Sequence, residues 1–438
     1  MGNLTVERID QVTNAQALFT DMMTRQTIFK SITGPMPKQA DAEMRLAGKS
    51  VTQSDPGMPI VRANDSTPKS DDALEISMKV YTRPKVEPRM DNEYAKGYEA
   101  AGEFSRIRFK LGLARFPYDM GTQYDQHHTE QDVEGLTKAG AISDPERWQD
   151  QLMTVNLFSG RGIENHNEWT IPLRGADRFD KVVVNPIKAP AAASHYRWNQ
   201  SANQIVPVAA SGGVLNITTA DMMSTEMLDG IIKGLAANPY RPTPVQFAAT
   251  KARRSKPTWL MLIPEVAMTE LSSRDDYRSL ISAIAPRRNT SAHPVFEYTE
   301  AKWGNLLIMT VPWNVFWDAE KSVQYCADPE SQTESSAVVP TAFGSADYVL
   351  TRALIVGASA IAFGTGTMQG NTGPVDIRYE KDDFEFRSGL AVSYLGGCTK
   401  VQYQRVHETG RKFWCDKGIL AIDFALHLGS STYDPFKR

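Results

Sequence analysis

Polar and apolar residues alternate from Leu74 to Val80, with Leu74, Ile76, Met78 and Val80 separated by Glu75, Ser77 and Lys79. A period of two marks a half-buried strand. The rhythm returns at Ile107, Phe109, Leu111 and Leu113, so the two runs predict an antiparallel pair. Their connection, residues 82–103, carries Pro84 and Pro88. It far exceeds the roughly two to five residues of an ordinary hairpin turn, which predicts a long projecting hairpin with an elaborate tip.

A helical rhythm follows. Thr129-Glu130-Gln131-Asp132 has the form of a helix start, Val133 and Leu136 share a face, and Asp144-Pro145 interrupts the run. Pro145 suits a second start, and Trp148, Leu152 and Val155 follow at i, i+4 and i+7 until Ser159-Gly160-Arg161-Gly162. Residues 169–215 read as short strands and connections. Thr219 to Asn238 is predicted helical on the stripe of Leu228, Ile231, Ile232 and Leu235. Trp259 to Ile263 reads as a buried strand, Pro264 opens a helix, and Tyr277, Leu280, Ile281 and Ile284 continue at helical spacing. Leu306 to Val311 is a further strand. Leu350, Ala353, Leu354, Ala358 and Ile361 predict a helix packed closely through Gly357. Strands are expected at Leu390 to Leu395, Val401 to Tyr403 and Ile419 to Phe424. The sum is an α+β protein without regular βαβ alternation or a long repeat.

With 438 residues the chain has material for about two or three folding units. Its 48 Lys and Arg nearly balance 51 Asp and Glu, which argues against a dedicated nucleic-acid binder, because phosphate affinity needs a basic excess. Cys326, Cys398 and Cys415 form neither a disulfide framework nor a C-x-x-C metal site and suit a reducing compartment. The N-terminal residues lack the pattern of a secretory leader. The most apolar stretch, Tyr348 to Phe363, is shorter than the roughly 20 residues that span a bilayer and contains Arg352, so no membrane partner is expected.

Motifs for chemistry are weak. Gly364-Thr365-Gly366 begins like a dinucleotide fingerprint, but Gln369 stands where the third glycine belongs, and a turn after a helix is the simpler expectation. Asp125, His127, His128 and Glu130 are possible metal ligands, yet adjacent histidines diverge on any regular element, which favours a solvated loop. Ser66 and Lys69 match an acyl-enzyme pair, but Pro68 opposes the helix they would share. His166 and Glu168 match half of a zinc deaminase signature whose cysteine half is absent. Lys251, Arg253, Arg254 and Lys256 read as a solvated basic loop. No enzyme activity, cofactor or metal is expected.

The order of elements, and in particular Phe109-Lys-Leu-Gly-Leu-Ala-Arg115-Phe-Pro-Tyr-Asp-Met-Gly121, Gln126 with Thr129-Glu-Gln-Asp132-Val, Leu157-Phe-Ser-Gly160-Arg-Gly162, Trp259-Leu-Met-Leu-Ile-Pro264-Glu-Val-Ala and Lys417-Gly-Ile-Leu-Ala-Ile-Asp423-Phe, resembles the major capsid proteins of tailed double-stranded DNA bacteriophages, podovirus-type subfamily. The resemblance implies the Johnson fold. Residues 1–56 would be an N-terminal arm, with one short helical segment around Ala15 to Ile32, and 57–121 the extended loop. Residues 122–215 would be the peripheral domain with its spine helix, 216–395 the axial domain, and 396–438 a return to the peripheral domain. Gly140 and Pro145 interrupt the region where the family shows an unbroken spine helix. The implied function is self-assembly into hexamers and pentamers of an icosahedral head, built in the host cytoplasm and found in the virion. Scaffolding protein, portal and decoration proteins would be partners, and the enclosed DNA would not be bound specifically.

Charge is unevenly placed. Residues 79–110 hold eight Lys and Arg against five Asp and Glu, a net of +3, whereas residues 119–150 hold two against eight, a net of -6. An inter-subunit contact is therefore expected between Arg83, Lys85 and Arg89 of one copy and Asp132, Glu134, Glu146 and Asp150 of the next; two solvated faces are the alternative. Two other functions compete with a phage shell. A cellular nanocompartment of the same fold would carry a cargo pocket, and a hydrolase using His127 and His128 would bind zinc.

Overall fold

A computed structural model describes residues 60–64, 75–82, 103–122, 141, 148, 152–159, 185–238, 240–245, 257–275, 277, 301–311, 315–358, 360–365, 375–382, 387–407 and 409–428. The centre is a mixed sheet in the order Ala301–Trp303, Leu306–Val311, Trp259–Pro264, Tyr348–Val356, Ile419–His427, His195–Asn199 and Gln204–Pro207. The short strand Phe316–Trp317 also pairs with Tyr348–Val356.

Both faces of this sheet are covered. Trp259, Met261, Ile263, Ala353, Ile355, Ile422 and Phe424 pack on one side with the helices Thr225–Ala237 and Glu265–Ser273. Leu260, Leu262, Leu350, Leu354 and Ala421 pack on the other with Trp148, the helix over 152–158, and a second sheet. Strands buried on two faces carry apolar residues at every position and lose the period-two signature. This is why Leu350 to Ile361, expected to be a helix, is instead the strand Tyr348–Val356 followed by Ile361–Thr365. Gly357 does mark a close approach: a Cβ there would lie 2.2 Å from the Thr243 carbonyl oxygen. Gly364 and Thr365 likewise lie in a strand and not in a turn after a helix.

The second sheet runs Ile60–Asn64, Ile361–Thr365, Arg387–Lys400 and Val375–Asp382, with Gly112–Thr122 also paired to Arg387–Lys400. The strands Glu75–Thr82 and Glu103–Lys110 pair antiparallel with Met78 opposite Ile107, as the alternation requires. The expected run of Ile107 to Leu113 is broken, however. Alternation holds through Leu111, then the chain starts a new strand at Gly112, and Leu113 ends up 46% exposed. Two smaller sheets join Ser322–Cys326, Glu334–Val338, Val214–Leu215 and Ala210–Ser211, and Gln402–Val406 with Lys412–Asp416.

The helix expected from Thr219 begins later, at Thr225. Asp221 takes hydrogen bonds from the Thr218 amide and hydroxyl, and Ser224 accepts from the Met227 amide as the N-cap. Such side-chain oxygens offer the backbone an alternative to the helix and so set its start. Pro264 precedes its helix as expected, and the other strands expected after residue 185 are present.

Candidate functional site

The helix over 152–158 ends against the sheets at two buried ionic centres. Ser159, at φ 55°, turns the chain out of the helix in the left-handed conformation that commonly stops a helix. The last carbonyls of a helix are electron-rich and lack backbone donors. Here two cations, each from a different sheet, supply hydrogen bonds at that point.

The first centre uses Arg352, which sits opposite Asp423 on the neighbouring strand. Arg352 Nε donates to Asp423 Oδ1 at 2.6 Å and Nη2 to Oδ2 at 3.1 Å, while Nη1 donates to the Phe158 carbonyl. The guanidinium lies 5.0 Å from the centre of the Trp317 ring, and Arg352 is 0% exposed. His195 completes the group, with Nε2 2.7 Å from Asp423 Oδ2. Two acceptors would repel at that distance, so Nε2 carries the proton and donates; Nδ1 is buried without a partner among the described residues. Burial alone would raise the Asp423 carboxyl, but Arg352 and His195 hold it well below the ordinary range.

The second centre is Lys400. Its ammonium donates to Ser159 Oγ at 2.7 Å, to the Ala189 carbonyl at 3.1 Å and to Asp416 Oδ2 at 3.3 Å. Three acceptors match the three N–H bonds of an ammonium. Asp416 in turn accepts from Gln402 Nε2 at 2.9 Å and from the Ala191 amide at 3.3 Å. Burial pushes the Lys400 amine down and Asp416 opposes it. Close by, Asn185 behaves like a piece of strand. Its Oδ1 accepts from the Lys110 amide at 2.7 Å, and its Nδ2 donates to the carbonyls of Lys110 at 2.9 Å and Cys398 at 3.1 Å. Gly397 permits this approach, since a Cβ there would lie 2.3 Å from the Lys110 oxygen. The base of the hairpin is thereby tied to the body.

These groups position and restrain; they form no nucleophile and base aimed into a cleft. Among the described residues no cluster of three or more His, Cys, Asp or Glu is placed to hold a metal ion, and no helix is long and apolar enough to cross a membrane. Arg83, Lys85, Arg89, Asp132, Glu134, Glu146 and Asp150 lie outside the described residues, as do Asp125, His127, His128, Glu130 and the basic cluster Lys251 to Lys256. The continuity of the helix through Pro145 also falls outside them. Sequence reading did not single out Asp423, His195, Lys400 or Asp416. The available signal was a lone charge in an apolar run: Arg352 within Tyr348 to Phe363, and Asp423 within Ile419 to Leu426.

The chain is similar to a solved capsid of Ralstonia phage GP4, with a TM-score of 0.60 at 17% identity over 87% of this chain and 93% of that one. It is also similar to the capsid of cyanophage Pam1, with a TM-score of 0.51 at 9% identity over 82% and 86%. The fold is therefore the Johnson fold of tailed-phage capsids. No curated protein sequence matches the chain. The sequence pattern of the phage capsid protein family, however, matches residues 3–428, and the chain belongs to that family: it is a structural subunit of a phage head shell.

Proposed function

We propose that copies of this subunit assemble into hexamers and pentamers that tile an icosahedral head around packaged double-stranded DNA, without gripping it specifically and without catalysing a reaction. The family match across residues 3–428 carries this reading. Residues 1–56 serve as the arm, 57–121 as the extended loop, 122–215 with 396–438 as the peripheral region, and 216–395 as the axial region. The central sheet takes strands from the 122–215, 216–395 and 396–438 ranges. A scaffolding protein, a portal and decoration proteins are the further partners, and assembly takes place in the host cytoplasm.

Charge complementarity supports a docking of the basic 79–110 segment on the acidic 119–150 segment of the next copy, with Arg83, Lys85 and Arg89 meeting Asp132, Glu134, Glu146 and Asp150. Electron microscopy of the purified protein is expected to show closed shells or capsomers; a monomer that assembles under no condition would overturn the proposal. The triple variant Arg83→Glu, Lys85→Glu, Arg89→Glu should fold with wild-type stability yet form few shells. Normal shells from it would remove the charge contact and leave the shell function standing.

A further inference from the structure

The His195 imidazole is used by nothing described so far except its bond to Asp423. Its surroundings are unusual for an ionisable group. It is 1% exposed; Nε2 is 2.7 Å from Asp423 Oδ2 and 3.1 Å from Arg352 Nη2, and Nδ1 has no partner among the described residues. The charged groups acting on it are Asp423 from the Ile419–His427 strand, Arg352 from the Tyr348–Val356 strand and, from the second sheet, Lys400. With His195 neutral, Arg352 and Asp423 cancel. A proton can enter only at Nδ1, which creates a buried N–H without an acceptor and a second cation 3.1 Å from Arg352. Both are costly away from water. Arg352 is also the donor to the Phe158 carbonyl, so a charge that displaces it removes one of the two cations, the other being Lys400 on Ser159, that hold the end of the 152–158 helix.

We propose that His195 is a proton-operated catch: neutral, it holds the end of the 152–158 helix to the central sheet through Asp423 and Arg352; protonated, it loosens that end, which Lys400 alone then holds. The same arrangement accounts for the direction of its titration. Burial, the largest influence, lowers the imidazole from its ordinary value of 6.5; Asp423 opposes this, and Arg352 and Lys400 add to it. The closed form therefore binds its proton at lower pH than the opened form. Below about pH 6.5 the opened form carries one proton more, and each further pH unit shifts the opening equilibrium about tenfold until the closed form also titrates. The catch is shut above 6.5 and loosens as pH falls.

Hydrogen exchange of the full-length subunit, corrected for the intrinsic pH dependence of amide exchange, tests this directly. From pH 7.5 to 5.5, protection of the amides in 155–159 should fall about tenfold, while the strand Trp259–Pro264 stays unchanged. In His195→Gln, which keeps an amide N–H for Asp423 and cannot titrate, the same amides should show no pH response. Should that variant not fold, the wild type alone decides. Equal loss of protection in the helix end and in Trp259–Pro264, or no loss anywhere by pH 5.5, overturns the proposal, as does an unaltered pH response in folded His195→Gln.

Discussion

Arg352→Met probes the clamp on the helix most directly, because methionine fills much of the same space and carries no charge. In the wild type Arg352 is fully buried, shares two hydrogen bonds with Asp423 at 2.6 and 3.1 Å, and donates a third to the Phe158 carbonyl. The variant leaves a buried carboxylate facing only the neutral His195, and a helix-end carbonyl without its donor. Breaking a buried ion pair from one side costs about 3–5 kcal/mol. The stranded carbonyl falls largely within that figure, since groups that share one partner do not add independently. Against a typical total of about 5–15 kcal/mol this is about a fifth of the stability or more. Urea unfolding of the unassembled subunit measures it as a lower midpoint with little change in slope. The double variant Arg352→Met, Asp423→Leu supplies the decisive comparison. With both charges gone, no ion is left stranded, and more than half of the loss should return, although His195 forfeits its acceptor. A single variant within about 1 kcal/mol of wild type, the scale of an exposed pair, would refute the reasoning. A double variant as unstable as the sum of both singles would refute it too.

Two further outcomes follow from the same contacts. Asn185→Ala removes three hydrogen bonds at the base of the hairpin and should cost about 1–3 kcal/mol in the same urea assay; Asn185→Asp should cost no less, because a carboxylate cannot donate to the Lys110 and Cys398 carbonyls. Burial pushes the Cys398 thiol up to about 12, with the Asn156 amide opposing it, so a maleimide at pH 8 should leave it unlabelled in the native subunit and label it in urea. Rapid native labelling of Cys398 would contradict its burial.

The helix start after Pro264, the pairing at the base of the hairpin and most strands were legible because their signals are local. Pro264 precedes its helix as proline chemistry dictates, and the strands read from the two alternating runs pair with Met78 opposite Ile107. Tyr348–Val356 was misread for the opposite reason. Its pattern depends on what covers each face, and the covering helices and strands lie far off in sequence. The clamp was invisible for a related reason. Arg352 and Asp423 are 71 residues apart, Lys400 and Ser159 are 241 apart, and only the register of the sheets brings them together. The Arg352 charge inside an apolar run served to exclude a membrane span, although it equally signals a buried partner.

The place of Ile419–His427 in the central sheet governs when the subunit can form at all. This strand is the last described in chain order, yet it lies between Tyr348–Val356 and His195–Asn199 and supplies Asp423 to the clamp. While the ribosome is still making residue 400, the Gln204–Pro207 and His195–Asn199 hairpin has no neighbour to join, and Arg352 has no carboxylate opposite it. Folding of the central sheet must wait until residues 419–427 have been made and then close contacts of very long sequence separation, the slow kind. A nascent subunit is thus unable to finish its core, and a copy cut short before residue 419 lacks the central strand needed to build a sound head.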